Sequence, residues 1–222
     1  TNMFITLLKK ELFVELRNKE VILSMLAFGL TVLLIFSFSL SGNPKINHEI
    51  APGLFWSLVV LSSSLGLHRL FGQEKDFDAF ANLLSAPIDR GTLFLAKWIS
   101  GFLFLFLIEI LVVLPFFLFL GLSQPMSYFP GIGIVMLGNL GIVAVGVIVS
   151  GMAMRAKMSA VLLPVLLFPL ITPLLIACVK ATTGWYHLIP FSTWQFWVLI
   201  MATYVVIFGL AGYVFFEHIT EE

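Results

Sequence analysis

Long stretches of uncharged, hydrophobic residues recur along the chain, and short polar segments separate them. A helix needs about 20 apolar residues to cross roughly 30 Å of hydrocarbon, and only helices satisfy their backbone groups individually in lipid. The pattern therefore predicts an all-α integral membrane protein with six transmembrane helices. The predicted spans are residues 21–40, 50–70, 98–120, 131–154, 158–179 and 194–216.

The longest uncharged stretch, residues 110–154, is too long for one span. Its central segment, Gly-Leu-Ser-Gln-Pro-Met-Ser-Tyr-Phe-Pro at 121–130, is rich in residues that favour turns. We therefore predict a short connection at 121–130, which separates the third span from the fourth.

Residues 3–20 have a different pattern, in which charges of both signs alternate with apolar residues. Ile5, Leu8, Leu12 and Leu16 are spaced three or four apart, which places them on one face of a helix. We predict that residues 1–20 form an amphipathic helix in the membrane interface, with a solvated helix as the alternative. Its basic residues are Lys9, Lys10, Arg17 and Lys19.

The composition supports the membrane assignment and limits the classes of function. Hydrophobic residues make up 60% of the chain and charged residues 11%, whereas soluble proteins contain about 25% charged residues. The length of 222 residues suits a single transmembrane domain covering residues 1–222. One cysteine, Cys178, cannot form an internal disulfide, and the formal net charge of zero by itself indicates no partner. No nucleic-acid partner is expected.

Lys and Arg fall almost entirely on one side of the predicted spans. Only Lys45 and Lys180 lie on the opposite side. Because cytoplasmic loops carry the excess of Lys and Arg, this asymmetry places both termini and the segment 67–97 in the cytoplasm. The residues on the cytoplasmic side are Lys9, Lys10, Arg17, Lys19, Arg69, Lys75, Arg90, Lys97, Arg155 and Lys157.

The segment 67–97, between the second and third spans, is the longest polar interruption and holds eight charged residues. Residues 73–84 are predicted to form a helix with acidic residues in its first turn, where negative charge interacts favourably with the helix dipole. Residues 89–97 then return to the membrane as a second, short apolar helix. We predict a cytoplasmic coupling region at 72–92.

The helix predicted at 73–84 carries an apolar stripe, because Phe77, Phe80 and Leu84 are spaced three and four apart. Such a stripe on a cytoplasmic helix is typical of a helix that docks in the groove of a partner. The alternative is that it packs against the protein's own membrane domain. The candidate docking residues are Glu74, Asp76, Phe77, Asp78, Phe80 and Leu84.

The sequence lacks the motifs of the common membrane-bound enzymes. No Gly-x-x-x-x-Gly-Lys-Ser/Thr segment occurs, so no loop of the type that cradles nucleotide phosphates is present. Neither His-Glu-x-x-His nor Gly-x-Ser-x-Gly occurs. We therefore expect a chain that is not an enzyme, that does not hydrolyse ATP, and that holds no metal or cofactor itself.

Glu109 is the one carboxylate deep inside a predicted span. A charged acid near the bilayer centre costs roughly 3 kcal/mol, so such a residue is expected to be protonated, paired or directed into a cavity. Two interpretations follow. Glu109 is either a functional residue that couples or gates movement, or a neutral acid that forms a hydrogen bond to another helix.

The outer connections contain histidine and several aromatic residues. His48 and His187 both fall on the outer side, where they are either haem ligands or ordinary interfacial histidines. The connection at 180–193 is predicted to form part of an aromatic belt at the membrane interface, with a half-inserted segment as the alternative. Its aromatic residues are Trp185, Tyr186 and Trp194 at its end.

Two spans carry residues that influence how helices pack. The fourth span contains small residues that permit close approach of neighbouring helices, namely Gly138, Gly141, Gly146 and Ser150. The fifth span is expected to be bent or locally broken, because each proline removes a backbone donor. Its prolines are Pro164, Pro169 and Pro173.

Four segments and Glu74, taken in order, resemble a known family. The segments are Ile-Ala-Pro-Gly-Leu-Phe-Trp-Ser-Leu at 50–58, Arg-Leu-Phe at 69–71, Leu-Leu-Ser-Ala-Pro at 83–87, and Leu-Pro-Val-Leu-Leu-Phe-Pro-Leu-Ile-Thr-Pro-Leu-Leu-Ile at 163–176. Together they are similar to the cytochrome c maturation protein B family, whose members are permease subunits of ABC transporters.

The resemblance implies an ABC-2 exporter type of fold, with an N-terminal interfacial helix and a coupling helix between spans 2 and 3. It implies a separate cytoplasmic ABC ATPase, which binds ATP and docks on the coupling helix. It also implies haem-handling membrane subunits of cytochrome c maturation and a periplasmic haem chaperone, in the bacterial inner membrane. A second copy of the chain is a further partner compatible with this family.

The function implied by the resemblance is coupling of ATP hydrolysis to haem delivery, or to release of the haem-loaded chaperone. Three rivals remain open at this point. The chain could be an ABC-2 permease for a lipid, glycan or drug, or a structural scaffold of a haem-handling complex. It could also be an ion-coupled carrier that uses Glu109 as a proton site, although the docking segment argues against that.

Overall fold

The computed structural model describes residues 2–40, 44–69, 89–123, 128–153 and 159–221. Within these ranges the chain forms seven helices and no strand. By length and composition, α2 to α7 are able to cross a membrane, which confirms the predicted six-span, all-α architecture. The helices are α1 (Asn2–Arg17), α2 (Lys19–Ser39), α3 (Pro44–Arg69), α4 (Arg90–Leu120), α5 (Phe129–Ala153), α6 (Ser159–Tyr186) and α7 (Phe191–Glu221).

Several helices are longer than the hydrophobic pattern predicted. The short helix expected at 89–97 is not separate, because it is the first part of α4. Helix α6 continues to Tyr186, so the connection expected at 180–193 is reduced to residues 187–190. The reason is the same in both cases: a transmembrane helix continues past the hydrocarbon into polar surroundings, and hydropathy alone marks only its apolar part.

The two ends of α4 have well-defined caps. Asp89 precedes the helix, and its carboxylate accepts hydrogen bonds from the backbone nitrogen and the hydroxyl of Thr92, at 2.9 and 2.8 Å. This is the usual way to satisfy a free amide in the first turn. At the other end, Gly121 adopts a left-handed conformation (φ 62°), in which glycine is favoured. The turn predicted after residue 120 is therefore confirmed.

Helix α5 lies at the centre of the bundle and packs against α3, α4, α6 and α7. Its glycines permit this, because a Cβ atom on Gly138 would overlap the Trp56 ring and one on Gly146 would overlap Leu67. A Cβ on Gly141 would instead meet Leu174 of α6. The predicted close approach is confirmed: Gly138, Gly146 and Ser150 all lie against α3, since the Ser150 hydroxyl donates to the Leu67 carbonyl at 3.1 Å, and Gly141 faces α6.

The prolines of the fifth span do not interrupt α6, which is continuous from Ser159 to Tyr186. The expected local break is therefore absent from this helix. Two hydroxyl groups donate hydrogen bonds to backbone carbonyls of this stretch. Thr172 donates to the Phe168 carbonyl at 2.7 Å. Tyr204 of α7 donates to the Leu170 carbonyl at 2.6 Å. Neither carbonyl is one of those that Pro164, Pro169 and Pro173 leave without their usual donor, which are those of residues 160, 165 and 169.

Helix α1 packs along α4. The buried positions are Leu7, Glu11 and Glu15, which are four residues apart. Ile5 and Leu16, on the face predicted to be apolar, are about half exposed. The predicted helix is therefore confirmed, but the face that docks on the protein carries two acids, and the apolar face is directed outward.

Candidate functional site

The coupling region predicted at 72–92 lies almost entirely outside the described residues. Its two flanks are described, since α3 ends at Arg69 and α4 begins at Arg90. The docking function therefore stays a prediction. The six candidate docking residues in question are Glu74, Asp76, Phe77, Asp78, Phe80 and Leu84.

A buried ion pair joins α1 to the beginning of α4. The Lys97 side chain is completely buried, and its Nζ lies 3.1 Å from Oε2 of Glu11, which is 3% exposed. The other carboxylate oxygen of Glu11, Oε1, accepts a bond from Lys10 Nζ at 2.9 Å. Both oxygens of this buried carboxylate are therefore satisfied by cations.

This pair was missed by the sequence analysis, which used Lys97 only as a positive charge at the membrane boundary. A signal was present, because Lys97 follows the apolar run Leu-Phe-Leu-Ala at 93–96, and Glu11 and Glu15 are one turn apart in an otherwise basic helix. Removal of one partner of a buried pair leaves the other charge without compensation. The pair therefore fixes α1 against the part of α4 that follows the predicted coupling region.

Glu109 lies twelve residues beyond Lys97 on α4, or roughly 18 Å along the helix. Its side chain is 5% exposed, and Oε2 accepts a hydrogen bond from Nδ2 of Asn139 on α5, at 2.5 Å. Among the described residues, Oε1 of Glu109 and Oδ1 of Asn139 have no hydrogen-bond partner. The expected bond to another helix is thus present, and one oxygen of each side chain remains without a hydrogen-bond partner within the described ranges.

Glu109 also forms part of the wall of a cavity of about 330 Å³ between α3, α4, α5 and α6. The cavity lies toward the end of the bundle remote from the predicted coupling region, since it is bordered by the last turns of α4 and α6 and the first turns of α5. Its wall is mainly apolar, and seven of the residues that line it are aromatic: Phe55, Phe106, Phe116, Phe117, Tyr128, Trp185 and Tyr186.

The cavity reaches the outer surface of the bundle between α4 and α5. Ile110 on α4 and Ile132 on α5 both line it, and both are about half exposed. Tyr128, at the beginning of α5, is exposed to a similar degree. The opening therefore lies on the surface of two helices that are long and apolar enough to cross a membrane.

The aromatic residues of the outer connection pack against the protein more than the belt interpretation expects. Trp194 is 8% exposed, and its indole nitrogen donates to the Ile189 carbonyl at 3.0 Å. Trp185 lines the cavity. Both rings contribute to the packing of α5, α6 and α7, and the interfacial belt stays a prediction.

The two outer histidines lie on either side of Tyr186. His48 Nδ1 is 3.0 Å from the Tyr186 hydroxyl, and the two rings are stacked at 5.6 Å. The His187 ring contacts the same tyrosine edge to face at 5.4 Å. In the part of the chain that the structure describes, no group of three or more His, Cys, Asp or Glu side chains is arranged to hold a metal ion.

The chain matches a known family over most of its length. A family model described as CcmB protein matches residues 2–219. Heme exporter protein B of Haemophilus influenzae is 28% identical over 173 residues, which cover 78% of each protein. The Pseudomonas aeruginosa protein of the same name is 27% identical over 177 residues, which cover 79% of this chain and 78% of that protein.

A shorter match is found to Heme exporter protein B of Escherichia coli. It is 34% identical over 95 residues, so the matched segment spans 43% of this chain and 43% of the length of that relative. The likeness suggested by the sequence motifs is therefore confirmed at the level of the family.

Proposed function

Because the chain belongs to the CcmB protein family, we propose that it is the membrane permease subunit of an ABC transporter that acts in cytochrome c maturation. The observation that carries the proposal is the family match over residues 2–219. Six apolar helices long enough to span a membrane support the role of a transporter component. The relatives are named as exporters of haem, so haem, or a protein loaded with haem, is the proposed cargo.

The proposed mechanism couples ATP hydrolysis in a separate cytoplasmic subunit to movement of the membrane helices. The ATPase would dock on the helix predicted at 73–84, with Phe77 and Phe80 in a groove and the acidic residues setting the register. Helix α4 begins directly after this region, and the Glu11–Lys97 pair joins its first turns to α1. A force on the coupling region would therefore move α1 and α4 together.

The remaining parts of the proposal concern where the ligands and the chain are located. ATP would be bound by the ATPase and haem by partner subunits, so this chain would hold neither as a resident cofactor. Both termini and the coupling region would face the cytoplasm of a bacterial inner membrane, as the distribution of Lys and Arg predicts. Glu109 is proposed as a functional residue of the membrane domain.

Association with the ATPase is tested by reversing charge in the docking helix. We expect the double variant Asp76→Lys with Asp78→Lys to lose the ATPase during purification of the tagged chain. Glu49→Lys is the control, because Glu49 is exposed at the opposite end of the bundle and its reversal leaves docking unaffected. Retention of the ATPase by the double variant would contradict the proposed contact.

The cargo is tested in cells that lack the native gene. The proposal predicts loss of covalently attached cytochromes c, and normal cytochromes would instead favour a permease for another substrate. The double charge reversal then separates the two proposed roles. If the ATPase drives release of the chaperone, haem accumulates on the chaperone, whereas the chaperone stays free of haem if haem must first pass through this subunit.

A further inference from the structure

The cavity beside Glu109 combines three features. Its wall is apolar and rich in aromatic rings, its opening lies between α4 and α5, and its single acidic residue is buried. The carboxyl group accepts a bond from Asn139 at one oxygen and has no hydrogen-bond partner among the described residues at the other. Burial of a polar atom without a hydrogen-bond partner costs free energy in a low-dielectric environment.

From this geometry we propose that the cavity binds a lipophilic cation, that is, a molecule whose positive charge is quaternary or delocalised and is surrounded by apolar groups. Such a cation supplies the counter-charge that Glu109 lacks among the described residues, so the buried carboxyl group would release its proton to water as the cation binds. The faces of Phe, Tyr and Trp rings attract cations, and aromatic cages are the usual recognition element for quaternary ammonium groups. The apolar shell of the ligand would fill the rest of the cavity.

Other occupants fit the same cavity less well. An anionic amphiphile would bring its negative charge close to a buried carboxylate, where low dielectric strengthens the repulsion. A simple acyl chain would fill the volume and leave Oε1 of Glu109 without a partner. The size is suitable for a small organic ligand, since about 330 Å³ lies within the range of about 300–1,000 Å³ found for ligand pockets.

The route of entry is set by the position of the opening. Ile110 and Ile132 flank it on the outer surface of two apolar spans. A lipophilic cation partitions into the bilayer and can therefore reach the opening laterally. The proposal does not depend on the function in cytochrome c maturation, because it concerns a ligand opposite in charge to the carboxylates of haem and uses a direct binding measurement.

The test compares two ions of the same shape and opposite charge. Radiolabelled tetraphenylphosphonium and tetraphenylborate are equilibrated by dialysis against the purified full-length chain in detergent, with empty micelles subtracted. We expect saturable binding of tetraphenylphosphonium and none of tetraphenylborate. Glu109→Gln keeps the shape of the side chain but removes its charge, and we expect it to weaken cation binding by about tenfold or more.

Equal binding of the two ions by the unmodified chain would overturn the proposal, as would equal cation binding by Glu109→Gln. A change in binding is interpreted only if the variant is folded. Each variant is therefore checked for a helical circular dichroism spectrum and a single elution peak. If Glu109→Gln does not fold, the decision rests on the opening of the cavity, where a second variant leaves Glu109 unchanged.

Ile132→Trp places a large ring at the opening and is expected to reduce cation binding by about tenfold. Leu199→Trp is the matched control, because Leu199 is exposed on α7 and does not line the cavity. It is expected to bind the cation as the unmodified chain does. If Ile132→Trp and Leu199→Trp bind it equally well, the cation does not occupy this cavity and the proposal is wrong.

Discussion

Lys97 of α4 is completely buried with its Nζ 3.1 Å from Oε2 of Glu11, 86 residues earlier in the chain. The contact lies at the point where the chain returns from the predicted coupling region to the membrane. A lysine with no exposed surface is rare unless it is paired. The pair therefore gives α1 a specific position on the transmembrane domain, which an amphipathic helix held only by lipid would not have.

Lys97→Met is expected to destabilise the protein by about 1–3 kcal/mol, because it leaves Oε2 of the buried Glu11 carboxylate without its donor, while the partly exposed Lys10 remains at Oε1. The measurement is thermal unfolding of the purified chain in detergent, followed by tryptophan fluorescence. Lys9→Met is the control, since Lys9 is exposed on the same helix as Glu11. Equal melting temperatures for Lys97→Met and Lys9→Met would contradict a structural role for the pair.

The double variant Glu11→Leu with Lys97→Met separates loss of the pair from loss of packing. Replacement of both charges by apolar residues of similar volume removes the uncompensated charge, and such replacements are often nearly neutral. We expect the double variant to recover part of the stability lost in Lys97→Met. A double variant less stable than Lys97→Met would show that the two charges act independently.

The number of spans could be predicted from the sequence because each requires a long apolar run, and such runs are visible without knowledge of their neighbours. The Glu11–Lys97 pair could not be predicted in this way. Its partners are far apart in sequence, and Lys97 at the edge of an apolar run is equally typical of a lysine that reaches into the headgroups. Only the packing of α1 on α4 distinguishes the two.

Glu109 shows the same limit within a span. Its position in an apolar run indicated that it needed a partner, a proton or a cavity. The sequence did not indicate that Asn139 of α5 would satisfy one oxygen and that a cavity would adjoin the carboxyl group. Those facts depend on the rotation of α4 and α5 about their axes, which hydropathy does not determine.

Gly138→Ala is expected to destabilise the bundle by about 1–3 kcal/mol, because the new Cβ would overlap the Trp56 ring and would also approach Cys178. Gly133→Ala is the matched control on the same helix, since its Cβ would meet nothing within 4 Å. Alanine is favoured over glycine inside a helix, so the control should be neutral or slightly stabilising. Thermal unfolding in detergent measures both. Equal effects would argue against close packing at Gly138.

Tyr204→Phe tests the hydrogen bond between α7 and the proline-containing helix α6. The variant keeps the ring but removes the donor to the Leu170 carbonyl, so we expect a loss of about 0.5–1.5 kcal/mol. Tyr213→Phe is the control, because no hydrogen bond involves the Tyr213 hydroxyl in the described part of the chain. A melting temperature lowered only by Tyr204→Phe would support the bond, and one lowered equally by both would not.

The orientation predicted from Lys and Arg can be tested with single cysteines and a maleimide that does not cross membranes. Ser123 is exposed between α4 and α5, and Lys9 is exposed on α1. In intact spheroplasts we expect Ser123→Cys to be labelled at once and Lys9→Cys only after permeabilisation, because ten basic residues mark the Lys9 side as cytoplasmic. The native Cys178 is buried and gives the blank. The reverse order of labelling would place the coupling region outside the cell, where no ATPase could reach it.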